Sequence, residues 1–265
     1  MVSVSKVSVK NIKIKTAINN VLKPLGGMKH FIKPGETILL KPNFNTPDPL
    51  PAASDPDFIQ AVSEIVYSAG AKLVMIGESS MLRLNTCKVF EKKKMYKLEG
   101  SPKCPIRLYS FDEKEWVTKI IPNGKYLKKV TVPKMLYEVD KIILLPCMKT
   151  HFIAQFTGAL KLAIGFMKPS ERIALHMGHV QEKVAEMNTI YKPDLIIMDG
   201  RKCFITKGPS QGLIKEPNLI LASKSRVAID IEAINEIKKF DKNDLRNFKA
   251  EELVQIKYSK ELGIK

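Results

Sequence analysis

The chain lacks the features that define several large protein classes. No stretch of its 265 residues approaches the roughly 18 consecutive apolar residues of a membrane span. Residues 1–15 alternate Val and Ile with Ser and Lys and have no apolar signal-peptide centre. Both absences predict a soluble, cytoplasmic protein with no membrane partner. Its four cysteines, Cys87, Cys104, Cys147 and Cys203, stand far apart and form no C-x-x-C pair. That argues against a zinc ribbon or a cysteine-bound iron–sulfur cluster and for reduced, partly buried thiols. Neither G-x-x-x-x-G-K-[ST] nor a G-x-G-x-x-G after a strand occurs, which removes those two modes of nucleotide binding. Aromatics make up only 7% and do not interleave with the basic runs as a base-stacking platform requires.

Acidic residues are scarce beside basic ones, 27 against 44, for a formal net charge of +17. The excess is spread out: Lys6, Lys10, Lys13 and Lys15 at the start, residues 92–94 in the middle, residues 238–265 at the end. Diffuse lysine fits a solvated surface better than a nucleic-acid groove, so nucleic acid stands as an alternative partner rather than the favoured one. With 45% apolar residues the chain can bury a full core. Its length predicts one domain, 1–265, with two unequal lobes, the smaller at about 80–135.

Hydrophobic periodicity gives the element order. Val2–Val9 alternates with a period of two, and residues 37–40 form a short apolar run between Pro34-Gly35 and Lys41-Pro42; both are predicted strands. Ser54-Asp55-Pro56 supplies a helix cap and a first-turn proline ahead of Phe58, Ala61, Val62, Ile65 and Val66, one helical face ending at Gly70. A strand over 72–76, closing at Gly77, completes a βαβ unit. Residues 86–98 are predicted helical, 106–111 a strand, and Asn123-Gly124 the turn of a small inserted hairpin. A second half follows: a buried strand at 141–145, helices at 158–166 and 180–191, strands at 194–198 and 219–222, a helix at 227–239, and a polar helix or helix pair at 243–262. The predicted class is α/β, a mostly parallel sheet flanked by helices.

In open parallel sheets ligands lie beyond the carboxyl ends of the strands, so polar residues trailing apolar runs carry the chemistry. Three such places occur: Lys41-Pro42-Asn43, Lys149-Thr150-His151 and Asp199-Gly200. A lone lysine after a strand is usually a surface lysine; two at analogous ends are harder to dismiss. Downstream, Thr157 is a candidate N-cap, and Gly158-Ala159-Leu160-Lys161 allows close backbone approach at a helix start, where free N–H groups and a nearby lysine together attract an anion. Arg172, His176 and His179 follow Pro169. Two histidines three apart would share a face and offer a metal two ligands, unless Met177-Gly178 breaks the helix between them. Asp199 would orient a lysine or histidine or cap a turn, and Asp230, inside a predicted helix, is a candidate buried partner for one of the lysines. The pair Ser79-Ser80 has no evident base to activate it.

Taken in order, these pieces resemble the domain of unknown function 362 family. They are Leu39-Leu40-Lys41-Pro42-Asn43, Ser54-Asp55-Pro56, residues 145–151 (LPCMKTH), residues 157–161 (TGALK), His176, Asp199-Gly200, Gly208-Pro209 with Gly212, and Ala222-Ser223 with Asp230. The resemblance implies an intracellular α/β domain of prokaryotic type with no agreed activity. Longer members append a ferredoxin-like module whose cysteine runs are missing here. The chain departs from the family pattern at Leu162, where asparagine is usual, and at Lys224-Ser225-Arg226, where an aspartate is usual. A more distant likeness to the lactate racemase group is one of architecture only.

The resulting expectation is an enzyme or enzyme-like protein that holds a small anionic ligand, phosphate, carboxylate or sulfate, in a cleft between the two lobes. Lys41, Asn43, Lys149, Thr150, Lys161, Arg172 and Asp230 are its candidate binding residues; His151 or His176 would shuttle a proton, with Asp199 orienting them. The residues name no cofactor and leave the oligomeric state open.

Overall fold

The computed structural model describes residues 3–100 and 104–265; Val2, at the head of the first predicted strand, lies outside them. The strands are β1 (Val4–Ser8), β2 (Thr37–Lys41), β3 (Leu73–Glu78), β4 (Ile106–Ser110), β5 (Trp116–Ile120), β6 (Lys129–Pro133), β7 (Lys141–Leu144), β8 (Cys147–His151), β9 (Gln155–Thr157), β10 (Leu195–Phe204), β11 (Ile214–Lys215) and β12 (Leu219–Ser223). The helices are α1 (Ile14–Leu22), α2 (Pro56–Ser68), α3 (Thr86–Lys92), α4 (Ala159–Leu162), α5 (Arg172–Leu175), α6 (Val180–Met187), α7 (Arg226–Lys238) and α8 (Val254–Glu261).

The main sheet runs β1-β12-β10-β7-β2-β3-β4. Its five central and right-hand strands, β10 to β4, pair in parallel, while β12 and β1 close the other edge antiparallel. The class is therefore α/β with a mixed, mostly parallel sheet flanked by helices. Within residues 80–135, β4 belongs to the main sheet, whereas β5 and β6 form a separate two-stranded antiparallel sheet.

Burial on both faces explains why β2 has no polar alternation: Ile38 and Leu40 enter one core with Val62, Val66, Val74 and Ile76, and Leu39 enters the other with Leu144, Phe156 and Phe166. Lys41 follows Leu39 by two residues, so the period of two aims it at the second core, into the space the lysine must share with Phe166. Asp55 caps α2 by accepting from the Asp57 amide at 3.1 Å, with Pro56 opening the helix as expected.

Several elements differ from expectation. Lys149-Thr150-His151 is not a loop after a strand but the body of β8, which pairs with β9 and with the far half of β10. The strand predicted to stop at Met198 continues to Phe204, so Asp199 sits mid-strand. Thr157 lies in β9 and caps nothing; Gly158 holds the cap position, and α4 is only four residues long before a 3₁₀ turn over Ala163–Phe166. The helix over 86–98 is cut by Lys94, whose φ of 58° is left-handed, and resumes as a 3₁₀ turn. Helix α1 was not anticipated. It buries Ala17, Ile18, Val21 and Leu22, but neither a side-chain cap nor an acidic first turn announces it.

Candidate functional site

The chain leaves β2 for β3 and β4 on one side and leaves β7 for β10 and β12 on the other. Between β2 and β7 the crossovers diverge, and in such folds the crevice opens there, beyond the strands' carboxyl ends. A cavity of about 410 Å³ occupies this position. Its walls come from the ends of β2 and β3, from β8 and β9, and from α4 and α5.

Lys41 is fully buried at the end of β2. Its Nζ donates to Glu78 Oε1 at 2.6 Å and to the Pro42 carbonyl at 2.8 Å, and lies 5.5 Å from the Phe166 ring centre. Burial holds its pKa below the usual lysine value, an effect the Glu78 charge partly opposes. Gly165 provides the room: a Cβ there would stand 2.5 Å from Lys41 Nζ. Glu78 accepts in addition from the Phe44 amide at 2.7 Å and the Ser79 amide at 2.9 Å, fastening the loops after β2 and β3 together. Glu78 is missing from the sequence-based set, although it trails an apolar run just as Lys41 does; the predicted strand was closed one residue too early, at Gly77.

Alternation along β8 sorts its polar residues. Lys149 and His151 line the cavity, whereas Thr150 does not: its Oγ1 accepts from the Gly208 amide at 3.2 Å. Lys149 Nζ donates to the Ala52 carbonyl and has no carboxylate partner among the described residues; burial lowers its pKa. Lys161, on α4, lines the same cavity with no hydrogen-bond or ion-pair partner among the described residues. Burial, then the charges of Lys149 and Arg172, bring its pKa down to about 7. Thr157 Oγ1, in the cavity wall, is buried and unpaired. Asn43 also lines the cavity, its amide donating to Ser54 Oγ at 2.8 Å.

Arg172 reaches the cavity from α5 with most of its donors committed. It donates to the carbonyls of Met167 (2.9 Å), Ser79 (2.9 Å), Ser80 (3.0 Å) and Gly165 (3.3 Å). These bonds fix its position without a direct ion pair among the described residues, Glu78 and Asp112 acting on its charge only from a distance.

The two cavity histidines hold opposite tautomers. His151 Nδ1 accepts from the Ile153 and Ala154 amides, both at 3.1 Å, so its proton is on Nε2. Burial, then Lys161, Lys149 and His176, drive its pKa down to about 2 and keep the ring neutral. His176 Nδ1 lies 2.6 Å from the Arg172 carbonyl, which can only accept; Nδ1 therefore carries the hydrogen, and the neutral ring leaves a lone pair on Nε2.

Three expectations need correction. Asp199 orients neither histidine: Arg201 binds it through Nε (2.9 Å) and an Nη (2.6 Å), and the same guanidinium reaches Asp55 at 2.6 Å. Asp230 is not a lysine's partner. It accepts from the Ala159 (2.6 Å) and Leu160 (3.0 Å) amides, so the helix start expected to hold a ligand already holds the protein's own carboxyl. Burial pushes that carboxyl up to about 7, against the two N–H bonds and Arg226. His176 and His179 do not share a face, because α5 ends at Leu175 and both Gly178 (φ 81°) and His179 (φ 53°) are left-handed. His179 is exposed, stacked on Tyr126 at 4.4 Å and 3.3 Å from Glu182. Among the described residues, no group of three or more His, Cys, Asp or Glu could hold a metal ion.

No helix among the described residues is long and apolar enough to cross a membrane. A thylakoid-associated protein of Synechocystis is 28% identical over 245 residues, spanning 89% of this chain and 73% of that protein. Among solved structures, the lactate racemase apoprotein of Thermoanaerobacterium thermosaccharolyticum superposes on 88% of this chain with a TM-score of 0.50 at 16% identity. The chain spans 56% of that racemase, and the likeness is one of fold. A Thermotoga maritima protein aligns with 79% of the chain at a TM-score of 0.41 and 14% identity. The model of the domain of unknown function DUF362 matches residues 38–235, three quarters of the sequence, and the chain belongs to that family.

Proposed function

We propose that the chain binds a small anion, a carboxylate, phosphate or sulfate, in the cavity between β2 and β8, with His151 donating a hydrogen bond to it and His176 exchanging a proton with it. One observation carries this reading. Lys41, Lys149, Lys161 and Arg172 converge on the cavity, and the single carboxylate in its wall among the described residues, Glu78, is already bonded by Lys41 and two backbone amides. A buried excess of positive charge is costly, and among the described residues no second carboxylate lines the cavity to offset it. A ligand anion would take charge-assisted hydrogen bonds from Lys149 and Lys161 and from the unpaired Thr157 hydroxyl.

The histidines support the proton-transfer half. His151, held neutral, presents an Nε2–H that can donate a hydrogen bond, and His176, whose Nδ1 is committed to the Arg172 carbonyl, has Nε2 as its nitrogen for taking up a proton. Isothermal titration with orthophosphate, sulfate and short carboxylates tests the binding. At least one is expected to bind at one per chain, with affinity falling about 10- to 100-fold in Lys149→Met, the loss that goes with one charged hydrogen bond. No binding of any of them, or equal binding by the variant, contradicts the proposal.

A further inference from the structure

The cavity has a cationic floor and an apolar lip. Lys41 and Lys149 are 0% and 3% exposed, whereas Phe152, Ile173, Leu82 and Met81, which line the same cavity, are 75%, 59%, 48% and 40% exposed. These four come from three separate segments: the loop after β3, the turn between β8 and β9, and α5. Single exposed apolar side chains are ordinary; four of them lining one cavity, beside the exposed Asn45 and His176, mark a patch that something apolar covers. They belong to the wall of the cavity, so the covering group is continuous with whatever occupies the floor.

Resting on the anion-binding reading above, we infer that the ligand is an amphiphile, an anionic head attached to a linear apolar tail. The head sits among Lys149, Lys161 and the Thr157 hydroxyl, and the tail leaves across Phe152 and Ile173 on one side and Met81 and Leu82 on the other. Phe152 is held in place for this contact: its ring stacks on that of His151 at 5.1 Å with 10° between the planes, which keeps an otherwise free side chain at the mouth. A fully hydrated metabolite such as a sugar phosphate would leave these four side chains without an apolar partner.

Two homologous series separate head from tail: methyl to octyl phosphate, and acetate to octanoate, each titrated below its micelle concentration, with hexanol as the uncharged control. Affinity should rise about twofold to fourfold per added methylene in at least one series, the upper value being complete burial of each CH₂. The octyl-to-methyl affinity ratio should collapse in the Phe152→Ser/Ile173→Ser double variant. Those two side chains are exposed, so their removal tests the lip without opening the core. A short anion that binds with no gain along the series overturns the amphiphile and leaves the anion site standing. Hexanol binding as well as hexanoate overturns the charged head, and the anion reading with it. A dimer that the lip substitutions dissociate, seen by light scattering, also overturns the proposal by making the lip an interface between copies of the chain.

Discussion

Lys161 is the residue whose behaviour is most diagnostic. Its ordinary pKa of 10.5 falls to about 7 in the folded chain, so between those values the unfolded chain binds the extra proton and stability rises with pH; below pH 7 the cost of the buried charge is present in full. Replacing it with methionine should therefore stabilise the protein below pH 7, on the order of 1 kcal/mol because cavity water screens part of the charge, and the gain should vanish near pH 10. Urea unfolding of both proteins across that range checks it. Ligand binding should show the complementary dependence. A bound anion favours the protonated amine, so affinity should fall as pH rises above 7, by as much as about tenfold per unit. Titrations in two buffers of different ionisation enthalpy should then report proton uptake. Glu78 behaves oppositely to Lys161: Glu78→Gln strands Lys41 without a countercharge and should cost about 3–5 kcal/mol. Sequence alone singled out Lys41, Lys149 and His151 as polar residues trailing apolar runs, and Lys161 and His176 from a small-residue helix start and a run after Pro169; all five line the cavity. Sequence could not assign tautomers or partners. Asp199 pairs with Arg201, two residues on, rather than with a histidine, and a guanidinium folding back along the same strand leaves no trace in hydrophobic periodicity.

At the scale of elements, the site depends on two very short helices held from outside. Helix α4 has four residues and no internal cap; Asp230, from α7, accepts its first two amides. Asp230→Asn would turn an amide NH₂ toward one of those donors. A loss of about 1–3 kcal/mol is expected, with weaker anion binding because Lys161 rides on α4. Gly158 admits this arrangement, since a Cβ there would collide with the Asp230 carboxylate. Helix α5 hangs from Arg172 and the four carbonyls it bonds, so Arg172→Lys, which cannot reproduce the fork, should raise local hydrogen exchange in residues 172–177 while α2 stays protected. These dependencies explain which elements were legible. Strands with runs such as Thr37–Leu40 and a capped helix such as α2 declare themselves locally. Strand β8, written Cys-Met-Lys-Thr-His, has neither β-branched run nor clean alternation, and exists because β10 extends ten residues to pair with it. Long-range pairing of this kind is tertiary, and local propensity does not report it.

For the molecule as a whole, a crevice beyond the strands' carboxyl ends follows from a mostly parallel sheet, but that β2 and β7 flank it depends on the sheet order, which the order of elements along the chain does not give. The net charge of +17 is less informative than it looks. Much of it is dispersed lysine, whereas Lys41, Lys149 and Arg172 are buried at one point beside the partly buried Lys161. Salt distinguishes the two: a ligand held in the cavity should lose little affinity between 50 and 200 mM salt, against the about 10³- to 10⁵-fold loss of a protein gripping six to ten nucleic-acid phosphates. The central claim is that Lys149 and Lys161 share one anion. Anomalous diffraction from a crystal soaked in selenate tests it most directly. A selenium peak within hydrogen-bond distance of both Nζ atoms is expected; selenate found only on exterior lysines, with the cavity filled by water, would contradict it.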